Sequence, residues 1–392
     1  MKKSKGKSTR PDARAWWGKN RLSCIILAAA VVVFIIVRAL AATHEQPQSR
    51  GEDYAEYETA VITDILSDST EQDPVSDNGY RGEQLLLAEI RTGQYKGETM
   101  QVSNYVGPLY GQALKEGQRA VVLISTYSDG NHTATVYEYD RAVGLAVIVG
   151  LFLLATVAVG GKVGAKSLVA LAITLVCLFF IMIPLLMKGA PTLLTVFLAC
   201  AYITVVTMVI LGGVTSKTIC AALGTIAGTA LALLFGLLAQ GLLHVDGLRL
   251  AEVEPLLQLR QQGTPIGLKG LLVGGVIIST LGAVMDVAMS LSSALWEVHC
   301  VDPTLGRGAL FRSGMNVGRD MVGTMTNTLI LALLGGSFVL ILYLYSMGLS
   351  YHQLMSSSYL ALEVISAIAS SIGVVLSVPI TAAVASVLYG KK

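Results

Sequence analysis

Long apolar runs occupy most of the chain after residue 141, and they limit the possible folds more than any other feature of the sequence. About 20 predominantly apolar residues are enough for a helix to cross the hydrocarbon core of a bilayer. Runs close to that length cover residues 142–159, 167–186, 192–211, 218–243, 271–295, 328–345 and 363–388. Because 53% of all residues are hydrophobic and only 14% are charged, the sequence predicts an α-helical polytopic membrane protein.

The N-terminal 40 residues combine a basic segment with one more apolar run. Residues 1–21 carry eight Lys and Arg against a single acid, which is typical of a cytoplasmic tail that lies near anionic membrane lipids. Residues 22–40 are predicted to form the first transmembrane helix and to be retained as a signal anchor. The residues at 39–41 resemble a signal-peptidase site, so cleavage of this helix stays open as an alternative.

The distribution of Lys and Arg between the loops predicts the orientation of these eight spans. An even number of spans puts both termini on one side of the membrane. The segments then assigned to the inner side carry sixteen Lys and Arg, and the short loops assigned to the outer side carry four. Since basic residues are retained in the cytoplasm, we expect cytoplasmic termini and an extracytoplasmic segment 43–141. Residues 142–392 would then form a seven-span domain with a cytoplasmic loop at 296–327.

Segment 43–141 differs from the rest of the chain because it is polar and alternates in hydrophobicity. Runs with period-two alternation, bounded by turn residues, predict five short strands at 57–66, 83–92, 98–105, 119–126 and 133–139. Five strands in a segment of this length favour a small β-barrel, of which the OB-like barrel is one form. OB-type modules often bind oligonucleotides. Here seventeen acids against seven Lys and Arg argue against a nucleic-acid partner.

An acidic residue interrupts the run 271–295 near its midpoint. On a helix that advances about 100° per residue, Ser290 and Glu297 fall on the same face as Asp286, and Gly282 lies on that face as well. Ionisable residues within membrane spans are costly, and they typically mark ion pathways, proton relays or ligand sites. This polar face is therefore predicted to be functional.

A second polar face follows in residues 310–331 if these residues are helical. Basic and amide side chains share one side of that helix with a glycine, and an acidic residue lies at the edge. These residues are Arg312, Asn316, Arg319, Asp320, Gly323 and Asn327. Gly314 and Gly318 have the G-x-x-x-G spacing that permits close helix contact. We expect the acidic and the basic face to satisfy each other in an antiparallel helix pair.

Depth in the membrane separates the roles of these side chains. Glu297 and Arg319 are both expected near the inner interface, where they would form an ion pair. Asp286 lies deeper and is the stronger candidate for carrying a coupling proton or contacting a cation. The structural alternative is that a hydrogen bond from Asn327 to Asp286 only locks two helices together. Glu363, at the start of the last run, is interpreted as a solvated interfacial side chain.

Sequence motifs for catalysis and for cofactor binding are absent. The chain has no nucleophile elbow, P-loop, H-E-x-x-H or haem motif, and no Cys or His spacing typical of zinc. The sequence therefore predicts no catalytic residue, no metal ligand and no cofactor. An intramembrane hydrolase built on Asp286 and Asp320 is the weakest alternative, because Asp320 is expected at or outside the interface.

Two blocks of the sequence resemble a known family. GAVMDVAMSLSSALWE at 282–297 and FRSGMNVGRDMVGTMTNTLILALLGG at 311–336 are similar to the YibE/F-like family of bacterial membrane proteins. The order of one N-terminal span, a β-rich extracytoplasmic segment and seven further spans is also similar. The resemblance implies a multi-pass protein of the bacterial plasma membrane that works with a second member of the family. It brings no established catalytic residues with it.

Two hypotheses of different classes follow from the sequence. The first is a secondary transporter or permease for an ion or a small solute, with its site between the span 271–295 and the helix 312–327. The second is a non-catalytic membrane subunit or sensor, whose outer β-domain binds a partner or an envelope ligand. The substrate and the oligomeric state stay open.

Overall fold

A computed structural model of the protein describes residues 31, 32, 35, 54–74, 76, 79–127, 132–245, 253–268 and 270–390. These residues fall into two compact units, and the boundary between the units lies between Ala158 and Val159. The basic tail 1–21 and nearly all of the predicted helix 22–40 lie outside the described residues.

The first unit contains a closed barrel of five long strands. The strands are β1 (Tyr54–Asp68), the two-residue β2 (Glu71–Gln72), β3 (Tyr80–Ile90), β4 (Thr99–Val106), β5 (Arg119–Thr126) and β6 (His132–Tyr139). The long strands follow the order β1-β5-β6-β4-β3 around the barrel, and β3 pairs with β1 to close it. All of these pairs are antiparallel except β4 with β6. The predicted five-stranded barrel is confirmed.

The barrel interior is filled by alternate residues of each strand. Leu86 and Ile90 of β3 point inward with Val122 and Ile124 of β5, and each of these side chains is at most 1% exposed. Since successive side chains on a strand point to opposite faces, the residues between them lie on the outer surface. The period-two pattern was sufficient to predict this core.

One buried amide side chain ties three parts of the barrel together. Gln84 Nε2 donates to Asp68 Oδ2 at 2.8 Å and to the Leu114 carbonyl at 3.2 Å. Gln84 Oε1 accepts from Asn104 Nδ2 at 2.9 Å and from the Leu114 amide at 2.8 Å. The two donors and two acceptor positions of the amide are therefore all used, as burial requires. These bonds hold the segment 107–118 against β3 and β4.

The segment after the barrel contains two helical parts that meet at Gly161. Runs 142–159 and 167–186 were expected to be two spans joined by a loop. The element α1 (Ala142–Cys177) is broken between these two runs, and it is followed by a π-helical turn (Leu178–Met182) and α2 (Ile183–Met187). The only break inside α1 is at Gly161, whose φ of 53° and ψ of −132° are not helical. Glycine adopts this conformation without a Cβ clash.

The remaining helices of the second unit vary widely in length. They are α3 (Thr192–Gly212), α4 (Ser216–Leu243), α5 (Glu254–Gln261), α6 (Leu271–Val301), α7 (Arg307–Gly336), α8 (Phe338–Ser346), α9 (Tyr351–Met355) and α10 (Ser358–Tyr389). By length and composition, the described residues contain five candidate spans, or up to six if α7 and α8, which are bent by 61°, count as one. The sequence predicted eight spans. The count here is lower because the first predicted span lies almost entirely outside the described residues and because Ala142–Met187, which contains two of the predicted runs, is counted once.

The predicted cytoplasmic loop 296–327, for which a helical form was left open, is helical except for a short turn. Helix α6 continues to Val301 and α7 begins at Arg307, so only residues 302–306 connect them. Within this turn Asp302 Oδ1 accepts hydrogen bonds from the Thr304 amide at 2.9 Å and the Thr304 hydroxyl at 2.6 Å. Both polar faces predicted from the sequence therefore lie on regular helices that form one antiparallel hairpin.

Small residues let α4, α6 and α10 approach one another closely. A Cβ atom added to Gly228 would lie 2.7 Å from Ser377 Cβ and 2.8 Å from Val284 Cγ1. One added to Gly373 would lie 2.8 Å from the Ala232 Cβ. In a membrane, where lipid is as apolar as the core, such close van der Waals contact is a main source of helix association. These three helices form the rigid support on which α7 packs.

Candidate functional site

Helix α6 presents its apolar side to the helix core and its polar side outward. Val284, Leu291 and Leu295 are completely buried, in a cluster that includes side chains of α10. Asp286, on the other side of α6, is exposed. The remaining polar-face residues Gly282, Ser290 and Glu297 are exposed as well.

Helix α7 uses its two spaced glycines for packing. A Cβ atom on Gly314 would lie 2.9 Å from Ala382 Cβ of α10 and 3.0 Å from Leu295 Cδ1 of α6. A Cβ atom on Gly318 would lie 2.2 Å from Val378 Cγ1 of α10. The G-x-x-x-G pair thus lies in a tight contact with α10.

The polar residues of α7 lie on the side opposite to these glycines. All of them are exposed, namely Arg312, Asn316, Arg319, Asp320, Gly323 and Asn327. A Cβ atom added to Gly323 would have no neighbour within 4 Å. Helices α6 and α7 contact each other, and each turns its buried side toward α10 and its polar face away from these contacts.

The two polar faces do not satisfy each other within one chain. Among the described residues, no hydrogen bond joins Asn327 or Asp320 to Asp286, and no ion pair joins Arg319 to Glu297. The expected antiparallel pairing was wrong in this respect. The physical reason is that the glycine side of α7 and the aliphatic side of α6 form the tighter contact, which turns both polar sides outward.

The charged residues occupy two levels along the hairpin. With a rise of about 1.5 Å per residue, Glu297 lies about 6 Å and Arg312 about 8 Å from the turn at 302–306. On the same scale Asp286 lies about 22 Å and Arg319 about 18 Å from the turn. We call these the turn level (Glu297 and Arg312) and the middle level (Asp286 and Arg319). The expected Glu297–Arg319 pair fails because its two members belong to different levels.

Packing contacts agree with the middle level. Gly318, which precedes the arginine of that level, contacts Val378 of α10. Ser377, the neighbour of Val378 on α10, and Val284 of α6 both pack against Gly228 of α4. The acid and the base of the middle level are thus held at similar depth by three helices that are themselves tightly packed.

A second polar group lies at the break between α7 and α8. The Ser337 hydroxyl donates to Glu363 Oε2 of α10, and both side chains are half-buried. They border a cavity of about 220 Å³ whose other walls are aliphatic side chains of α7, α8 and α10. The interpretation of Glu363 as a solvated interfacial residue missed this bond. The available signal was an acid in one apolar run and a Gly-Gly-Ser interruption, at 335–337, in the run before it.

Comparison with known proteins identifies the family. The model of the YibE/F-like protein family matches residues 148–391. The chain belongs to the YibE/F-like family. The matched part of this YibE/F-like protein contains both polar faces and the cavity at Glu363, but it begins after the β-barrel. No curated protein and no solved structure matches the chain.

The chemistry available at these sites is that of charges, hydroxyls and amides. Within the described ranges, no group of three or more His, Cys, Asp and Glu side chains is arranged to hold a metal ion. The exposed faces of the hairpin offer three carboxylates, two guanidinium groups and two amides, and the two levels are separated by about 10–16 Å along the helices. Each level can therefore accept or donate protons and hydrogen bonds.

Proposed function

We propose that this YibE/F-like protein is a secondary transporter or permease for an ion or a small solute. The observation that carries the proposal is the middle level, where two ionisable side chains lie on the outward sides of a pair of packed helices and have no partner in the described part of the chain. Ionisable residues at such positions commonly belong to ion pathways or proton relays. Asp286 would take the coupling proton or contact a cation, and Arg319 would respond to its change of charge.

The bent α7–α8 pair supports the same proposal. Transporters often bind substrate or ion where a membrane helix is interrupted, because the interruption frees backbone groups beside a cavity. Here the 61° bend coincides with a carboxyl, Glu363, and a hydroxyl, Ser337, at the edge of an apolar cavity.

The proposed setting is the plasma membrane of a bacterium. The excess of basic residues in alternate loops supports eight spans with cytoplasmic termini and an extracytoplasmic barrel. The proposed partners are membrane lipids and a second YibE/F-like protein.

A blocking experiment tests whether the polar face of α6 borders the pathway. In a variant in which Cys24 and Cys300 are replaced, Ser290→Cys would be modified with a charged thiol reagent while ion flux is followed in proteoliposomes. We expect modification to stop the flux. Leu223→Cys is the control, because Leu223 is 49% exposed on α4, a helix that carries neither polar face. Flux that survives modification at residue 290 would contradict the proposed pathway.

The second candidate function is a membrane subunit or sensor, and one observation on the barrel favours it. Tyr57 and Tyr137 are 58% and 59% exposed and meet edge to face, with ring centroids 5.0 Å apart. The strand order supports an OB-like barrel, a fold whose members bind oligonucleotides and oligosaccharides. Deletion of residues 54–139 distinguishes the two functions. A transporter should retain ion flux without the barrel, whereas a sensor should no longer respond to the partner or ligand that its barrel binds.

A further inference from the structure

The exposed hairpin surface is strongly patterned in charge. The face on α6 is acidic, with Asp286 and Glu297, and the face on α7 carries Arg312 and Arg319, with Asp320 at its edge. Charged side chains at membrane depth face protein or a water-filled space and not lipid. No described segment of the chain covers these residues.

The first apolar run does not supply the missing charges. Residues 22–37 contain no Asp, Glu, Lys, Arg or His. A helix formed by them could cover an apolar surface, but it has no charges to neutralise the exposed acids and bases of α6 and α7. The partner of this surface must therefore carry acidic and basic groups of its own at the same two levels.

A second copy of the chain meets this requirement. A two-fold axis along the membrane normal keeps every residue at its own level and places α6 of each copy opposite α7 of the other. At the turn level Glu297 then faces Arg312 of the partner subunit. At the middle level Asp286 faces Arg319 of the partner subunit. The two-fold symmetry thus forms an opposite-charge pair at each level. Each pair occurs twice in the dimer, because each copy contributes one acid and one base to each level.

The surface is also suited to close approach. Gly282 and Gly323 lie among the exposed polar residues, and a Cβ atom added to either would meet no atom within 4 Å. Small residues at such positions permit a second helix pair to come near enough for arginine to contact a carboxylate with both nitrogens.

We propose that two copies of this chain associate through the polar faces of α6 and α7, with Asp286 bound to Arg319 of the partner subunit and Glu297 to Arg312 of the partner subunit. The inference concerns the residues that carry the proposed function, but it does not rest on that function, because assembly is measured without any flux. The dimer would also complete the middle level, since each site would then draw its acid and its base from different copies.

Complementation between two charge-reversed variants tests this arrangement. Asp286→Arg alone creates Arg–Arg contacts at the middle level of a homodimer, and Arg319→Asp alone creates Asp–Asp contacts. In a mixed dimer of the two variants, every middle-level pair is again one acid with one base. A contact within one chain could not be repaired by mixing.

The readout is energy transfer between donor- and acceptor-labelled full-length copies in nanodiscs or dilute liposomes. We expect strong transfer for the wild type, loss of transfer to the level of a non-associating membrane protein for each variant alone, and recovery for their mixture. Size-exclusion chromatography and circular dichroism check that the variants are folded. Absence of transfer in the wild type, or undiminished transfer in both single variants, would overturn the proposal. If energy transfer recovered only when a variant was mixed with a different YibE/F-like protein, self-association would be overturned and that protein would be the partner of this surface.

Cross-linking gives an independent check that does not depend on charge reversal. Copies that carry only Ser290→Cys are mixed with differently tagged copies that carry only Asn316→Cys, in a background without the native cysteines. Both positions are exposed between the two levels, about 17 Å and about 14 Å from the turn. We expect a disulfide between the tags, and none when Leu223→Cys replaces Asn316→Cys. Equal cross-linking in both mixtures would contradict the interface.

Discussion

At the scale of single residues, the barrel contains a carboxylate that couples stability to pH. Asp68 accepts hydrogen bonds from the Thr70 hydroxyl, the Thr70 amide and Gln84, and these bonds lower its pKa below the ordinary value. A carboxyl whose pKa is lowered by folding stabilises the fold above its unfolded pKa and loses that contribution as the pH falls through the folded pKa.

We therefore predict that the stability of the barrel changes less with pH in Asp68→Asn than in the wild type. The wild type should be more stable than the variant at pH 6, and the difference should shrink as the pH falls from about 5 toward 3. Near-ultraviolet circular dichroism of the tyrosines, recorded during thermal unfolding, provides the measurement. A difference that stays constant over this range would show that Asp68 acts without changing protonation.

The hydrogen bond at the α7–α8 break leads to a second residue-scale prediction. Glu363→Leu leaves the half-buried Ser337 hydroxyl without its acceptor, which should cost about 1–3 kcal/mol of stability. Glu363→Gln retains an acceptor and should cost much less. The double variant Glu363→Leu, Ser337→Ala should recover part of the loss, because neither polar partner remains. Denaturation midpoints of the four purified proteins decide this, and equal midpoints for the leucine and glutamine variants would contradict it.

At the scale of elements, the contact between α7 and α10 depends on Gly318. A side chain at this position would enter the space of Val378, so Gly318→Leu should destabilise the helix core by about 1–3 kcal/mol. Gly308→Leu on the same helix is the matched control, because an added Cβ there meets no atom within 4 Å. In detergent, the midpoint of thermal unfolding should fall more for Gly318→Leu than for Gly308→Leu. Equal changes in the midpoint would show that the contact at Gly318 does not determine the stability of the helix core.

The sequence was informative about elements wherever one periodic pattern dominated. The strands were predictable because each has one buried and one exposed side, as in β5, where Ala120, Val122 and Ile124 alternate with outward residues. The polar faces of the hairpin were also predictable, since helical geometry alone decides which residues share a side. The buried side of α7 could not be predicted, because both its polar residues and the pair Gly314 and Gly318 were able to form the helix contact.

Two other elements could not be predicted for a different reason. The helical part after the break at Gly161 already includes lysines 162 and 166, although a cluster of glycine and lysine is also typical of a longer loop. The bond between Ser337 and Glu363 joins residues 26 positions apart, and its formation depends on the bend between α7 and α8. Local pattern carries no information about such contacts.

At the scale of the whole molecule, orientation can be tested through two exposed positions. Leu109 in the barrel is 95% exposed, and Cys300 lies near the α6–α7 turn. If the barrel is extracytoplasmic and the turn cytoplasmic, a membrane-impermeant maleimide applied to intact cells should label Leu109→Cys and not Cys300. Permeabilised cells should show labelling at both positions. Labelling of Cys300 in intact cells would reverse the proposed topology.

The most direct test of the whole account is charge movement through purified protein in proteoliposomes under imposed pH and cation gradients. We predict a current in the wild type that is lost in Asp286→Asn and retained in Asp302→Asn, which makes the same chemical change in the turn outside the apolar part of α6. Equal currents in the wild type and Asp286→Asn would remove the middle level from the mechanism. No current in any of the three, over a broad panel of ions, would contradict ion transport and favour the subunit or sensor.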